Sequence, residues 1–165
     1  PGPNMDVYVN AGAAVACCYA GLVLGDIASG LLSQLLKSRV KVIYTYLFLS
    51  IVSISAYFLL HDLSLFAFYS ICLFLGFSVG YCVIFMTIAT EQFGTNIRAT
   101  VTTTVPNFVR GAVVPLSILF QYLKGVFNGS IIQAGIVVAV LSLVLAFWAL
   151  HKMEETFTKD LDYLE

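Results

Sequence analysis

Five stretches of roughly 20 residues, each nearly free of charge, divide this chain, and no other feature of the sequence constrains the fold as strongly. They fall at 10–36, 42–60, 65–90, 97–123 and 130–150. A helix of that length crosses a bilayer with its backbone hydrogen bonds closed on itself. A closed barrel is the other spanning solution, but its strands read as about ten residues of alternating polarity, and no segment here alternates. The expectation is therefore an all-α, polytopic membrane protein. Composition agrees: 60% of residues are hydrophobic and 10% charged, where soluble domains carry roughly a quarter charged, and the mean hydropathy is +0.95. With a net charge of −1 and no Lys/Arg cluster interleaved with aromatics, no nucleic acid partner is expected. Cys17, Cys18, Cys72 and Cys82 all lie inside apolar runs without metal-ligand or disulfide-framework spacing and read as small hydrophobes.

The connections between spans are short, so successive helices should be antiparallel neighbours. Sorting the cations by side puts Lys37, Arg39, Lys41, Arg98, Lys152 and Lys159 on one face and Lys124 alone on the other. By the positive-inside rule the first face is cytoplasmic. The N-terminus is then outside and the acidic tail, 153–165, inside, in the plasma (inner) membrane. The chain opens Pro1-Gly2-Pro3-Asn4, without a basic leader or an initiator Met, and reads as part of something longer.

Two charges break the apolar runs. Asp26 lies about 15 Å from the cytoplasmic end of the first span and Arg110 about 18 Å into the fourth, both near mid-depth. Charged groups at such depth face protein or water. One reading pairs them as a structural ion pair; the other makes Arg110 the grip for an anionic solute and Asp26 the proton-coupling site or its counter-charge. Thr103, Asn107, Arg110, Ser117 and Gln121 recur at intervals of 3, 4 or 7, a polar stripe expected to line a cavity or a helix interface. Pro106 and Pro115 mark a hinge or a fixed kink in the same span. Gly21-x-x-x-Gly25 and Gly76-x-x-x-Gly80 read as close-packing faces. Gly76-Phe77-Ser78-Val79-Gly80 also spells a serine-hydrolase motif, but that motif needs a strand-to-helix turn, and His61 and His151 sit at opposite membrane edges. Asn128-Gly129-Ser130 matches the glycosylation pattern and reads as a turn. No catalytic residue, metal set or cofactor is expected.

Glu91-Gln92-Phe93-Gly94-Thr95-Asn96-Ile97-Arg98-Ala99-Thr100 resembles the E-x-x-x-T-x-x-R-(A/G) signature that follows the tenth helix in metabolite- and sugar-proton symporter branches of the major facilitator superfamily. The segment 30–41 is similar to that family's loop motif G-x-x-x-D-(R/K)-x-G-(R/K)-(R/K), keeping Gly30 and the basic cluster but with Gln34 at the acidic position, Leu35 at the basic one and Lys37 at the second glycine. The resemblance covers nearly the whole chain. It implies helices eight to twelve of the C-terminal half, five of a six-helix half-transporter bundle. It implies a secondary active transporter moving a small solute, an organic anion with proton coupling, by alternating access, with the lipid bilayer and the N-terminal half as partners. It also implies a cytoplasmic gate in which Glu91, Arg98 and Arg39 form ion pairs. Two rival classes are a non-transporting structural or assembly subunit, and a channel, for which one polar stripe is thin support.

Overall fold

The computed structural model describes residues 10–59 and 64–157. Every regular element among them is helical: α1 (Ala11–Leu36), α2 (Arg39–Leu59), α3 (Leu65–Ser78), α4 (Cys82–Glu91), α5 (Arg98–Gly111), α6 (Val113–Val126) and α7 (Ile131–His151). Five helices are long and apolar enough to cross a membrane: Ala11–Leu36, Arg39–Leu59, Leu65–Glu91, Arg98–Val126 and Ile131–His151. The third and fourth are each built from two pieces, which the apolar runs do not announce. The second begins three residues earlier than expected, taking Arg39 and Lys41 into its first turn. Leu60, His61, Lys159 and the rest of the tail from residue 158 lie outside the described residues.

The chain divides into two compact units, one ending at Phe85 and one beginning at Met86. In the first, α1 and α3 form the closest pair. Their partners advance together along both helices: the Asn10 N–H donates to Tyr69 Oη at 3.1 Å, and the Cys18 thiol donates to the Cys72 carbonyl at 3.1 Å. The two helices therefore run parallel. α2 runs back alongside both, with its Tyr46 reaching α1 and its Ser50 reaching α3.

Small residues make this approach possible. The buried face of α1 is Gly21, Gly25, Ser29 and Ser33, one residue every turn, so the small-residue face continues beyond the two glycines. A methyl group added to Gly21 would run into the Leu73 carbonyl, and one added to Gly76 into the Cys18 carbonyl. The two glycine pairs thus pack against each other. The other side of α1, including Tyr19, Val23, Ile27, Leu31 and Leu35, is exposed and apolar.

α1 ends at Lys37, which takes the left-handed conformation (φ 48°). Such a residue stops a helix by turning the chain away from the next helical bond. Ser38 then accepts from the Lys41 N–H at 3.2 Å, starting α2.

In the second unit α5 and α6 follow each other with one residue between them, and α6 packs on α7. α5 passes through Pro106 without a break. The interruption comes at Ala112, one residue after Gly111. Pro115 accounts for it: its ring nitrogen has no hydrogen for the carbonyl four residues back, that of Gly111, and its ring crowds it. Asn128 and Gly129 both have positive φ, 52° and 87°. They form the expected turn, after which Ser130 caps α7 by accepting from the Gln133 N–H.

Candidate functional site: a helix interruption facing Asp26

The stretch Leu65–Glu91 should run unbroken on sequence grounds, because it contains neither proline nor charge before its end. It breaks at Val79–Tyr81 instead. Up to four carbonyls and four N–H groups must be re-satisfied at such a break. The N–H groups of Val79, Gly80 and Tyr81 bend back to the carbonyls of Gly76, Phe77 and Val79 at 3.2, 3.1 and 2.9 Å. The Ser78 carbonyl, which an unbroken helix would join to residue 82, accepts instead from the Ser50 hydroxyl of α2 at 2.9 Å.

The far side of the break is held by α1. Gly80 is pressed on Gly25, so that a Cβ at position 80 would lie 2.5 Å from Gly25 Cα and 2.7 Å from the Asp26 nitrogen. The next residue along α1, Asp26, is half-buried and reaches the start of α4: the Val83 N–H donates to its Oδ1 at 3.4 Å. Val83 is the second residue of α4, where unpaired N–H groups and the helix dipole leave a partial positive charge. Asp26 is thus a capping carboxylate supplied by another helix. Within the first unit it forms no ion pair among the described residues.

α2 completes the surroundings. Tyr46 is buried and donates its hydroxyl to the Gly25 carbonyl at 2.8 Å. Its ring stacks on Phe77 at 6.0 Å and meets Tyr81 edge-on at 6.2 Å, one ring on each side of the break. Ser29 donates to the Asp26 carbonyl at 2.9 Å. A carboxylate, two phenols, two hydroxyls and the open end of a helix therefore meet where three helices touch. Ser78 of the hydrolase-like motif is buried here, but its hydroxyl donates to the Leu75 carbonyl at 2.8 Å.

The other candidate residues sit elsewhere. Arg39 donates to the Ser33 hydroxyl at 2.6 Å across the α1–α2 turn. In the second unit Arg98 folds back over the connection that precedes it, donating to the carbonyls of Thr90 at 3.0 Å and Phe93 at 3.4 Å. A guanidinium on the Thr90 carbonyl, in the last turn of α4, offsets the negative end of that helix. Glu91 is buried and accepts from the Thr156 hydroxyl at 2.6 Å, which ties the chain after α7 to the end of α4. Asn107 donates to the Thr103 carbonyl one turn back at 3.0 Å, while Asn107, Arg110 and Gln121 are all exposed. Ser117 and Gln121 line a shallow, mostly apolar cleft of about 320 Å³ with Val113, Leu116, Phe120 and Val138. Asp26 belongs to the first unit and Arg110 to the second.

Tyr46, Ser50, Thr156 and the break itself were not singled out in the sequence. The signal for the first two was present: Val42, Tyr46, Ser50 and Ser53 recur every three or four residues along α2 and are all buried. This places hydroxyls on the packed face of an apolar helix, where they need partners. The chain matches no family model, no curated protein and no solved structure.

Proposed function

We propose that this chain is the membrane-embedded C-terminal part of a secondary active transporter, carrying a small solute, an organic anion coupled to protons, by alternating access. The observation that carries the reading is the interrupted helix Leu65–Glu91 with Asp26 seated at its break. Transporters build solute and coupling-ion sites from discontinuous helices, because broken helix ends present dipoles and unpaired backbone groups that a continuous helix keeps closed. Five helices of spanning length support the membrane part of the reading. The asymmetric distribution of Lys and Arg supports an N-terminus outside and a C-terminus in the cytoplasm of a plasma (inner) membrane.

In this reading Arg110 holds the anionic group of the solute, with Asn107 and Gln121 as neutral partners along the same stripe, and Asp26 carries the coupled proton. Arg39, Glu91 and Arg98 belong to the cytoplasmic gate. The partners are the lipid bilayer and the N-terminal half of the carrier. Uptake by the full carrier tests this with Arg110→Ala, Arg110→Lys and Asp26→Asn. A charge-assisted hydrogen bond contributes about 1.5–3 kcal/mol, so Arg110→Ala should lower kcat/KM by roughly ten- to hundredfold. Lysine should recover part of it, and Asp26→Asn should remove proton-driven accumulation. Wild-type kinetics and pH dependence in all three variants would exclude both residues from the mechanism.

A further inference from the structure

At Asp26 a side chain from α1 holds the start of α4. Three contacts keep α4 starting where it does: the Gly25–Gly80 backbone approach, the Ser50 hydroxyl on the Ser78 carbonyl, and the Val83 N–H on Asp26. The first two are insensitive to charge. The third depends on it, because a carboxylate complements the positive end of α4 and a neutral carboxyl does not. The titratable groups around it are Tyr46 of α2, whose hydroxyl is on Gly25, and Tyr81 and Cys82 at the break. These are phenols and a thiol, with no fixed cation among them.

We propose that Asp26 is a proton-operated clasp: ionised, it caps α4 from α1 and holds the break at Val79–Tyr81 shut; when a proton from water adds to its carboxylate oxygen, the clasp opens and α4 is freed to reorient. The inference rests on reading Leu65–Glu91 as one interrupted membrane crossing, and it assigns the coupled proton a mechanical consequence. The Gly25–Gly80 contact acts as the pivot, since it survives protonation. The Val83 N–H, released from Asp26, passes to water at the opened break.

The test is hydrogen–deuterium exchange of the amides in residues 81–86 of the full carrier, at about pH 8 and about pH 2.5, below the ordinary range of an aspartate, corrected for the intrinsic pH dependence of exchange. A capping interaction is worth about 1 kcal/mol, or about fivefold in an opening equilibrium. Wild type should therefore lose about fivefold in protection at the lower pH. Asp26→Asn keeps a side-chain oxygen that can accept from Val83 but cannot titrate, so its protection should no longer change with pH. Val83→Pro removes the donor and leaves the carboxylate; proline is tolerated in the first turn of a helix. It should abolish the pH response in the remaining amides of the segment, which keeps the test available if Asp26→Asn fails to fold. A wild-type pH response persisting in Asp26→Asn or in Val83→Pro overturns the clasp. Exchange is read without solute, so a failed clasp with intact uptake leaves the transport reading standing, and a working clasp without uptake refutes only transport.

Discussion

Replacing Gly80 by alanine should separate α1 from the α3–α4 break. The added methyl carbon would lie 2.5 Å from Gly25 Cα, 2.6 Å from the Gly25 carbonyl carbon and 2.7 Å from the Asp26 nitrogen. Carbon atoms rest at about 3.5–4.0 Å, so relief needs a shift of about 1 Å or more. The obstructing atoms are backbone, with no rotamer through which to yield. Overpacking of a packed interior costs about 1–3 kcal/mol. Gly80 lies between helices, so alanine gains nothing there in helix propensity. Gly30, one turn beyond Asp26 on the same helix α1, is the internal control, because a methyl group there meets nothing within 4 Å. Gly30→Ala should be neutral or more stable by up to about 1 kcal/mol. The assay is reversible unfolding of the detergent-solubilised protein in an SDS titration, followed by far-UV circular dichroism. Gly80→Ala and Gly76→Ala should unfold at clearly lower SDS than wild type, Gly30→Ala at the same or higher. If the three variants unfold within about 0.5 kcal/mol of one another, the parallel packing of α1 on α3 is wrong.

Ser50→Ala leaves the Ser78 carbonyl without its donor and should cost about 1–3 kcal/mol in the same assay. Tyr46→Phe removes one hydrogen bond but keeps both ring contacts, so its cost should be smaller, about 0.5–1.5 kcal/mol. Because both hydroxyls act on the same break, the double mutant should depart from additivity; simple addition would show the two contacts to be independent. Thr156→Val deprives the buried Glu91 carboxylate of a donor and should loosen the chain after α7. Limited proteolysis should then cut near residue 156 several times faster, and an unchanged rate would show that the contact does not hold the segment.

The helices were legible because uncharged runs of spanning length leave the chain few alternatives; the helix starting at Arg39 shows the limit, since basic residues fit a first turn in space although they end an apolar run. Asp26 was visible as a lone acid. The break opposite it was not, because nothing local demands it: residues 76–80 are compatible with a helix, and the donors and acceptors that stabilise the interruption come from Ser50, Gly25 and Asp26, distant in sequence. Pro115 shows the contrast, a local cause whose effect falls three residues upstream at Ala112, while Pro106 passes without interruption. The signature around Glu91 and Arg98 drew attention to their charges. Their side-chain bonds include ones to the Thr90 and Phe93 carbonyls and to the Thr156 hydroxyl, contacts that the signature does not announce.

The turn at Lys37 and Ser38 has a consequence for depth. With two residues between α1 and α2 and the first in a left-handed conformation, neither helix can slide along the other by a turn without unwinding an end. The Tyr46–Gly25 hydrogen bond, roughly two turns along α2 and three along α1 from that link, is therefore held at constant height, as a mark on a ruler is held by the ruler's zero. α1 and α2 form a fixed gauge, and Asp26, one residue beyond the Gly25 mark, meets the break at Val79–Tyr81 at the height that gauge sets.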